Sequence, residues 1–256
     1  MPATAPAKTP PIAEIPAAIE TFVRGFAFTR SFTHPYLPER IGGAWVVRDA
    51  PRRSGAYRAE EWFVHDIAPQ EVDALVRRHT RGRFAICAIL ATGQPDDDLR
   101  AGYKALGYRL RCTEPIMIHR LGRIPRLDCP ATVQRVSTPA LAEQLASVAG
   151  KRQILPEYIA KGSPMRQYVA LIGPDIVGWV RSIVVGRHTW CSDMYVLPRH
   201  RRQGIAKALL SQMLRDDRAG GSTQAVLAAS HTGALLYPHL GYEQIATLYL
   251  LSPRKA

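Results

Sequence analysis

The chain is 256 residues long, 46% hydrophobic and 21% charged, with 34 Lys and Arg against 21 Asp and Glu for a formal net charge of +13. That is the size of one large or two small domains with apolar material for a sizeable core, which excludes a fibrous or wholly disordered chain. Its longest apolar runs, such as FAICAIL at 84–90, are too short to span a bilayer, and its four cysteines (Cys87, Cys112, Cys129, Cys191) lack CxxC spacing, which points to reduced thiols in a cytoplasm.

Residues 1–13 are rich in Pro and Ala without periodicity and read as a disordered leader. No basic n-region precedes an apolar core there, so no secretory signal is read. A helix is expected over 16–30. GAWVVRD (43–49) and EEWFVHD (60–66) read as strands, with no obvious first strand or hairpin before them. PQEVDALVRRHTRG (69–82) reads as a helix with Pro near its start and Gly at its end. FAICAIL is a buried strand, and DDDLRAGYKALG (96–107) is a helix with acids at its positive end. YRLRCTEPIMIHRL (108–121) supplies strand material, and GRIPRLDCP (122–130) is read as a linker because Pro and Gly punctuate it.

The order then returns. ATVQRVS (131–137) is a strand, followed by helical segments at 140–149 and 154–161. RQYVALIG (166–173) and DIVGWVRSIVVG (175–186) form a hairpin about Gly-Pro-Asp, and HTWCSDMYV (188–196) is the next strand. In 204–221, Ile205, Leu209 and Met213 form one i, i+4 stripe, and Ala206, Leu210 and Leu214 form its neighbour. QAVLAAS (224–230) is a buried strand, TGALLYPHLG (232–241) a short helix and YEQIATLYLLS (242–252) the last strand. Both halves thus end strand–helix–strand–helix–strand. Tyr103, Leu106, Gly107 and Tyr108 match Tyr237, Leu240, Gly241 and Tyr242 at one offset of 134 residues. A Leu-Gly-aromatic run is also a common helix ending, but its equivalent place in both halves favours duplication.

The segment richest in chemistry is DMYVLPRHRRQGIAKALL (193–210). A strand ends at Val196, Pro198 stops it, basic residues fill a loop, and Gly204 opens a helix. Gly204 and Ala206 leave room for a ligand to approach the backbone. The first N–H groups of the helix lack intrahelical partners and sit at its positive end, which makes a pocket for a pyrophosphate. Arg199, Arg201 and Arg202 can add charge-assisted contacts. GxxxxGK[ST] and GxGxxG are both absent, and so is the Cys/His spacing of a metal site.

Residues 131–254 resemble the GNAT superfamily of acyl-CoA-dependent N-acetyltransferases. MYVLPRHRRQGIAKALL is similar to its coenzyme-A-binding segment, and SHTGALLYPHLGY to its Asn-x-x-Ala-x-x-x-Tyr-x-x-x-Gly-Phe segment. DIVGWV resembles its second hairpin strand. Ser230 stands where the family has Asn, and Tyr242 replaces Phe. The resemblance implies an α+β protein of two tandem GNAT-like domains, each a mixed, mostly antiparallel sheet flanked by helices. The expected domains are a degenerate one over 14–121 and a transferase domain over 131–256. The run Ile67–Val72, which falls on the basic loop at the same offset, has no glycine and no arginine, so one acetyl-CoA is expected, in the second half.

The implied reaction is direct attack by a primary amine on acetyl-CoA, with no metal. Met194, Tyr195 and Val196 would pair with the pantetheine arm on a strand splayed by a bulge, which exposes an N–H to the developing oxyanion. Arg201, Arg202, Gln203, Gly204, Ile205, Ala206 and Ser230 would complete the cofactor site. Tyr237 matches the family's general acid. Asp193 and Glu157 are the candidate bases, with a water chain as the alternative. Cys191 lies beside the site, but direct attack needs no cysteine nucleophile.

A non-catalytic acyl-CoA sensor or scaffold would keep the same cradle. The basic excess also invites a nucleic-acid-binding reading. It is spread over both halves, however, with 19 basic against 14 acidic residues in 1–130 and 15 against 7 in 131–256, and no recognition motif accompanies it. The sequence leaves the acceptor and the oligomeric state open.

Overall fold

The structure, a computed structural model, describes residues 14–254; the leader read over 1–13 lies outside the described residues. In chain order the elements are α1 (Glu14–Arg30), β1 (Tyr36–Ile41), β2 (Ala44–Asp49), β3 (Glu60–His65), α2 (Pro69–His79), β4 (Phe84–Ala91), α3 (Asp97–Ala105) and β5 (Tyr108–His119). They continue with β6 (Thr132–Arg135), α4 (Pro139–Ala149), β7 (Met165–Ile172), β8 (Asp175–Val185), β9 (His188–Val196), α5 (Ile205–Ala219), β10 (Gln224–Ala228), α6 (His231–Ala234) and β11 (Glu243–Pro253). The fold is α+β. Two compact units divide the described residues: 14–117 with 229–231 and 244–254, and 118–228 with 232–243.

In the first unit the strands run β1-β2-β3-β4-β11-β5. The hairpin β1–β2 is a difference from the sequence reading, which saw no first strand. Pro38 and the charges of β1 obscure it, and both are tolerated because β1 is an edge strand. Its two-residue turn is Gly42-Gly43, both left-handed (φ 53° and 84°), the conformation that suits strand twist. Strands β3 and β4 are parallel and joined through α2. Trp62, Val64, Ile86, Tyr103 and Tyr108 are buried with Tyr249 and Leu251 of β11 in one core, each large apolar side chain contributing about 1.5–3 kcal/mol.

The second unit carries β10-β9-β8-β7-β6, antiparallel except for the parallel pair β9·β10. Gly173-Pro174 makes the expected two-residue turn between β7 and β8. Thr138 caps α4 by accepting from Leu141 N at 3.3 Å, and left-handed Gly150 ends it. α5 buries Ile205, Leu209, Met213 and Leu214, so the stripes read from the sequence are its inner face. The segment 154–161 is not a regular helix: only a 3-10 turn, Pro156–Tyr158, forms there, because Pro156 leaves too few residues on either side for a full turn of α-helix. The short helix expected over 232–241 divides into α6 and a 3-10 turn, Tyr237–Leu240, whose second residue is Pro238.

The linker 122–130 is irregular but tied down within the second unit. Arg218 donates to the Gly122 carbonyl at 2.6 Å, and Arg215 and Ser211 donate to that of Pro125.

The two Leu-Gly-Tyr segments repeat in geometry as well as in letters. Gly107 and Gly241 are both left-handed (φ 83° and 91°). Tyr103 meets Tyr108 edge-on at 5.6 Å, and Tyr237 meets Tyr242 edge-on at 5.5 Å.

Candidate active site

Strand β9 is held differently along its two edges. Its register with β10 runs from His188 to Trp190 and stops, whereas with β8 it continues to Val196. Residues 191–196 therefore have no strand partner on the β10 side. On the β8 side the register slips by one residue between Trp179↔Tyr195 and Arg181↔Ser192, a β-bulge. Asp193 lies within it, left-handed at φ 53°. Opposite, Gly178 allows close approach: a Cβ there would meet Tyr195 O at 2.9 Å, Val196 at 3.1 Å and Leu209 at 3.3 Å. The Gly of DIVGWV is thus a packing requirement of the site.

Beyond Val196, a 3-10 turn (Pro198–His200) leads into the basic loop. Arg201 donates to the Val196 carbonyl at 3.0 Å, and its guanidinium stands 5.5 Å over the Tyr195 ring, which is stacked on Trp179 at 4.9 Å. That three-layer stack fixes the end of β9. Arg202 and Gly204 are both left-handed (φ 64° and 80°), and residues 201–204 are exposed. Left-handed residues of this kind curl backbone N–H groups into a concavity that suits an anion. No side chain caps α5 at Gly204, so its first N–H groups are not consumed internally. Ile205 is buried and Ala206 half-buried. Met194 is half-buried, Tyr195 exposed and Val196 buried along the unpartnered edge.

Tyr237 is 8% exposed, on the 3-10 turn before β11. Burial, reinforced by Cys191, raises its pKa well above the ordinary phenol value, so it is a phenol throughout the neutral range. Behind it, buried His119 accepts from Leu121 N through Nδ1 at 2.9 Å and packs edge-on against Tyr242 at 5.3 Å. Burial likewise pushes Cys191 up and keeps it a thiol.

The carboxylate of Asp193 accepts from Arg181 and faces Lys151 Nζ at 3.9 Å. Glu157 is exposed on the 3-10 turn that follows α4. Ser230 is in the turn between β10 and α6; with Ala229 and His231 it groups with the first unit, where Ala229 N donates to Pro115 O at 2.9 Å. The second unit thus holds the expected cofactor residues other than Ser230, together with Tyr237, Asp193 and Glu157.

Arg181, Gln153 and Gly178 were not singled out from sequence. The signal for Arg181 was a lone charge inside an apolar strand. Among the described residues no group of His, Cys, Asp or Glu could hold a metal ion, and no helix is long and apolar enough to cross a membrane.

Residues 164–244 match the family described as acetyltransferase (GNAT) domain. A comparison with curated proteins gave no match. Among solved structures, a GCN5-related N-acetyltransferase from Kribbella flavida is similar over 94% of this chain and 96% of its own, with a TM-score of 0.66 at 16% identity. A GCN5-related N-acetyltransferase-like protein from Streptococcus suis is similar over 94% and 100%, with a TM-score of 0.54 at 14% identity. One from Sphaerobacter thermophilus is similar over 82% and 76%, with a TM-score of 0.54 at 17% identity. At those identities the likeness is one of fold. The family match over 164–244 spans the bulge, the basic loop and Tyr237, so it is this segment of the chain that carries an acetyltransferase (GNAT) domain.

Proposed function

We propose that the protein transfers an acetyl group from acetyl-CoA to a primary amine, and that the second unit holds the whole chemistry. The observation that carries this is the unpartnered edge of β9 leading directly into the open loop Arg201–Gly204 at the start of α5. An extended pantetheine arm takes the place of a strand beside Met194–Val196, and the pyrophosphate takes the N–H groups of residues 202–206. An edge N–H faces the thioester oxygen as negative charge builds there. The amine lone pair attacks the carbonyl carbon, a C–N bond forms and the C–S bond breaks. The thiolate takes its proton from Tyr237, and the phenolate is reprotonated from solvent.

An alkyl amine has a pKa of about 10, so a proton must leave the nucleophile near neutrality. We assign Glu157, on the exposed turn after α4, as the carboxylate that takes it. We also propose that the two units are duplicated GNAT-like domains and that the first has lost its cradle. Its α2 opens on Pro69, which has no N–H, after a stretch without glycine or arginine. Acetyl-CoA turnover with a panel of amines tests the assignment, beside calorimetry on the parent and Gly204→Val. Loss of binding in a folded Gly204→Val protein is expected. Unchanged affinity would remove the coenzyme-A assignment, and binding without turnover would leave a sensor.

A further inference from the structure

Arg181 is buried on β8, where it is the one charged residue after the exposed Asp175 that opens the strand. Its guanidinium reaches two places. It donates to the Gln153 carbonyl at 3.3 Å and to Gln153 Oε1 at 2.7 Å, and it donates to the Asp193 carboxylate. Gln153 is itself wholly buried, in the loop that follows α4. Lys151 of the same loop faces the second Asp193 oxygen at 3.9 Å. Asp193 belongs to the bulge of β9 and is left-handed, a conformation that is unfavourable for a non-glycine residue and persists only where the surroundings enforce it. Burial works against the charge on Arg181, and Asp193 works to restore it.

The structure assigns Arg181 as a positioning residue: it ties the bulge of β9 to the 150–155 loop, so that the edge receiving acyl-CoA and the loop before Glu157 are held in one arrangement. Asp193 is the anchor of that tie rather than the general base. Both of its oxygens are already directed at cations, one at a guanidinium and one at an ammonium. A lysine at 181 is one point charge and cannot serve both Gln153 and Asp193, whereas the planar fork of arginine can. What is being positioned rests on the transferase reading above; the tie itself does not.

The deciding protein is the double variant R181M/D193N, beside D193N and Arg181→Lys alone. Removing both members of an ion pair whose cation is buried leaves no uncompensated buried charge, so the double variant is expected to melt near the parent even where Arg181→Met alone does not fold. Its backbone amides in 150–155 and 192–196 should both exchange hydrogen about tenfold faster or more, while those of β7 stay as in the parent. Arg181→Lys should loosen the same two segments. With acetyl-CoA and an active amine, the KM values of the double variant should rise about tenfold, more than kcat falls. D193N should lower kcat/KM at every pH without changing the shape of the profile.

Unchanged exchange in either segment would overturn the tie, and so would loosening of only one. Loss of the acidic limb of the profile in D193N would make Asp193 the base. If the parent turns nothing over, the transferase reading falls, and the exchange data still decide the tie.

Discussion

Tyr237 and Tyr103 occupy equivalent places in the repeat but differ in what surrounds them. Tyr237 lies in the unit with the exposed loop Arg201–Gly204, whereas Tyr103 is closed into an apolar core with its hydroxyl unpaired. General acid catalysis is worth about 10²–10⁴-fold, so Tyr237→Phe should lower turnover by that factor with little change in acetyl-CoA binding. Tyr103→Phe should leave the rate unchanged and raise the melting temperature slightly, because it removes a buried hydroxyl without a partner. Steady-state rates and calorimetry on the two variants check both. Glu61 provides a second residue-scale test. Burial, with help from Glu114 and against Arg30 and Arg58, lifts its carboxyl from 4.5 to about 7. The folded protein then holds that proton more tightly than the unfolded chain. The associated stability is fully present below about pH 4.5 and is lost as pH rises through about 7, on the order of 3 kcal/mol in all. Glu61→Gln should match the parent in urea unfolding at pH 4 and exceed it at pH 8; equal stability at both would show that the carboxyl is not held up.

Between elements, the closest approach at the site is that of β8, β9 and α5 around Gly178. The atom 2.9 Å from a Cβ there is a backbone oxygen, which cannot swing aside. Gly178→Ala should therefore destabilise by about 1–3 kcal/mol in urea unfolding and weaken acetyl-CoA binding, because β9 must shift. Much of this arrangement was legible in the sequence. The Gly-Pro turn, the stripes of α5 and the strand-loop-helix passage at 193–210 all depend on local periodicity and turn chemistry, which neighbouring residues determine. What was not legible depends on partners far along the chain. The edge position of β1 is what makes Pro38 harmless in a strand, and no local signal reports that a strand is at an edge. Arg181 looked like one charge in a strand because Gln153 and Asp193 are 28 and 12 residues away. The bulge itself was expected only from the family resemblance, since Asp193 carries no mark of a left-handed residue beyond being an aspartate.

For the whole molecule, titration should find one acetyl-CoA per chain. The first unit has a cavity of about 230 Å³ lined by Val64, Ile67, Ala88, Leu90 and Leu99 with His65 and Asp66, but no arginine or lysine lines it for a phosphate. A stoichiometry of two would show that the first unit binds the cofactor by other means. The place of β11 has a further consequence. It lies between β4 and β5 and pairs with β4 from Ala246↔Ala91 to Leu251↔Ile86, so the core around Tyr103 includes Tyr249 and Leu251. A fragment of residues 14–121 should be unfolded by circular dichroism, and a cooperative melt of that fragment would mean that β5 can close on β4 unaided. On the ribosome the order of events is then reversed from the order of the chain. At about 5–20 residues per second, the first unit waits several seconds with a gap in its sheet while everything up to residue 253 is made. What is synthesised first is completed last, and the exposed flanks of β4 and β5 are where a chaperone would have the longest opportunity to bind.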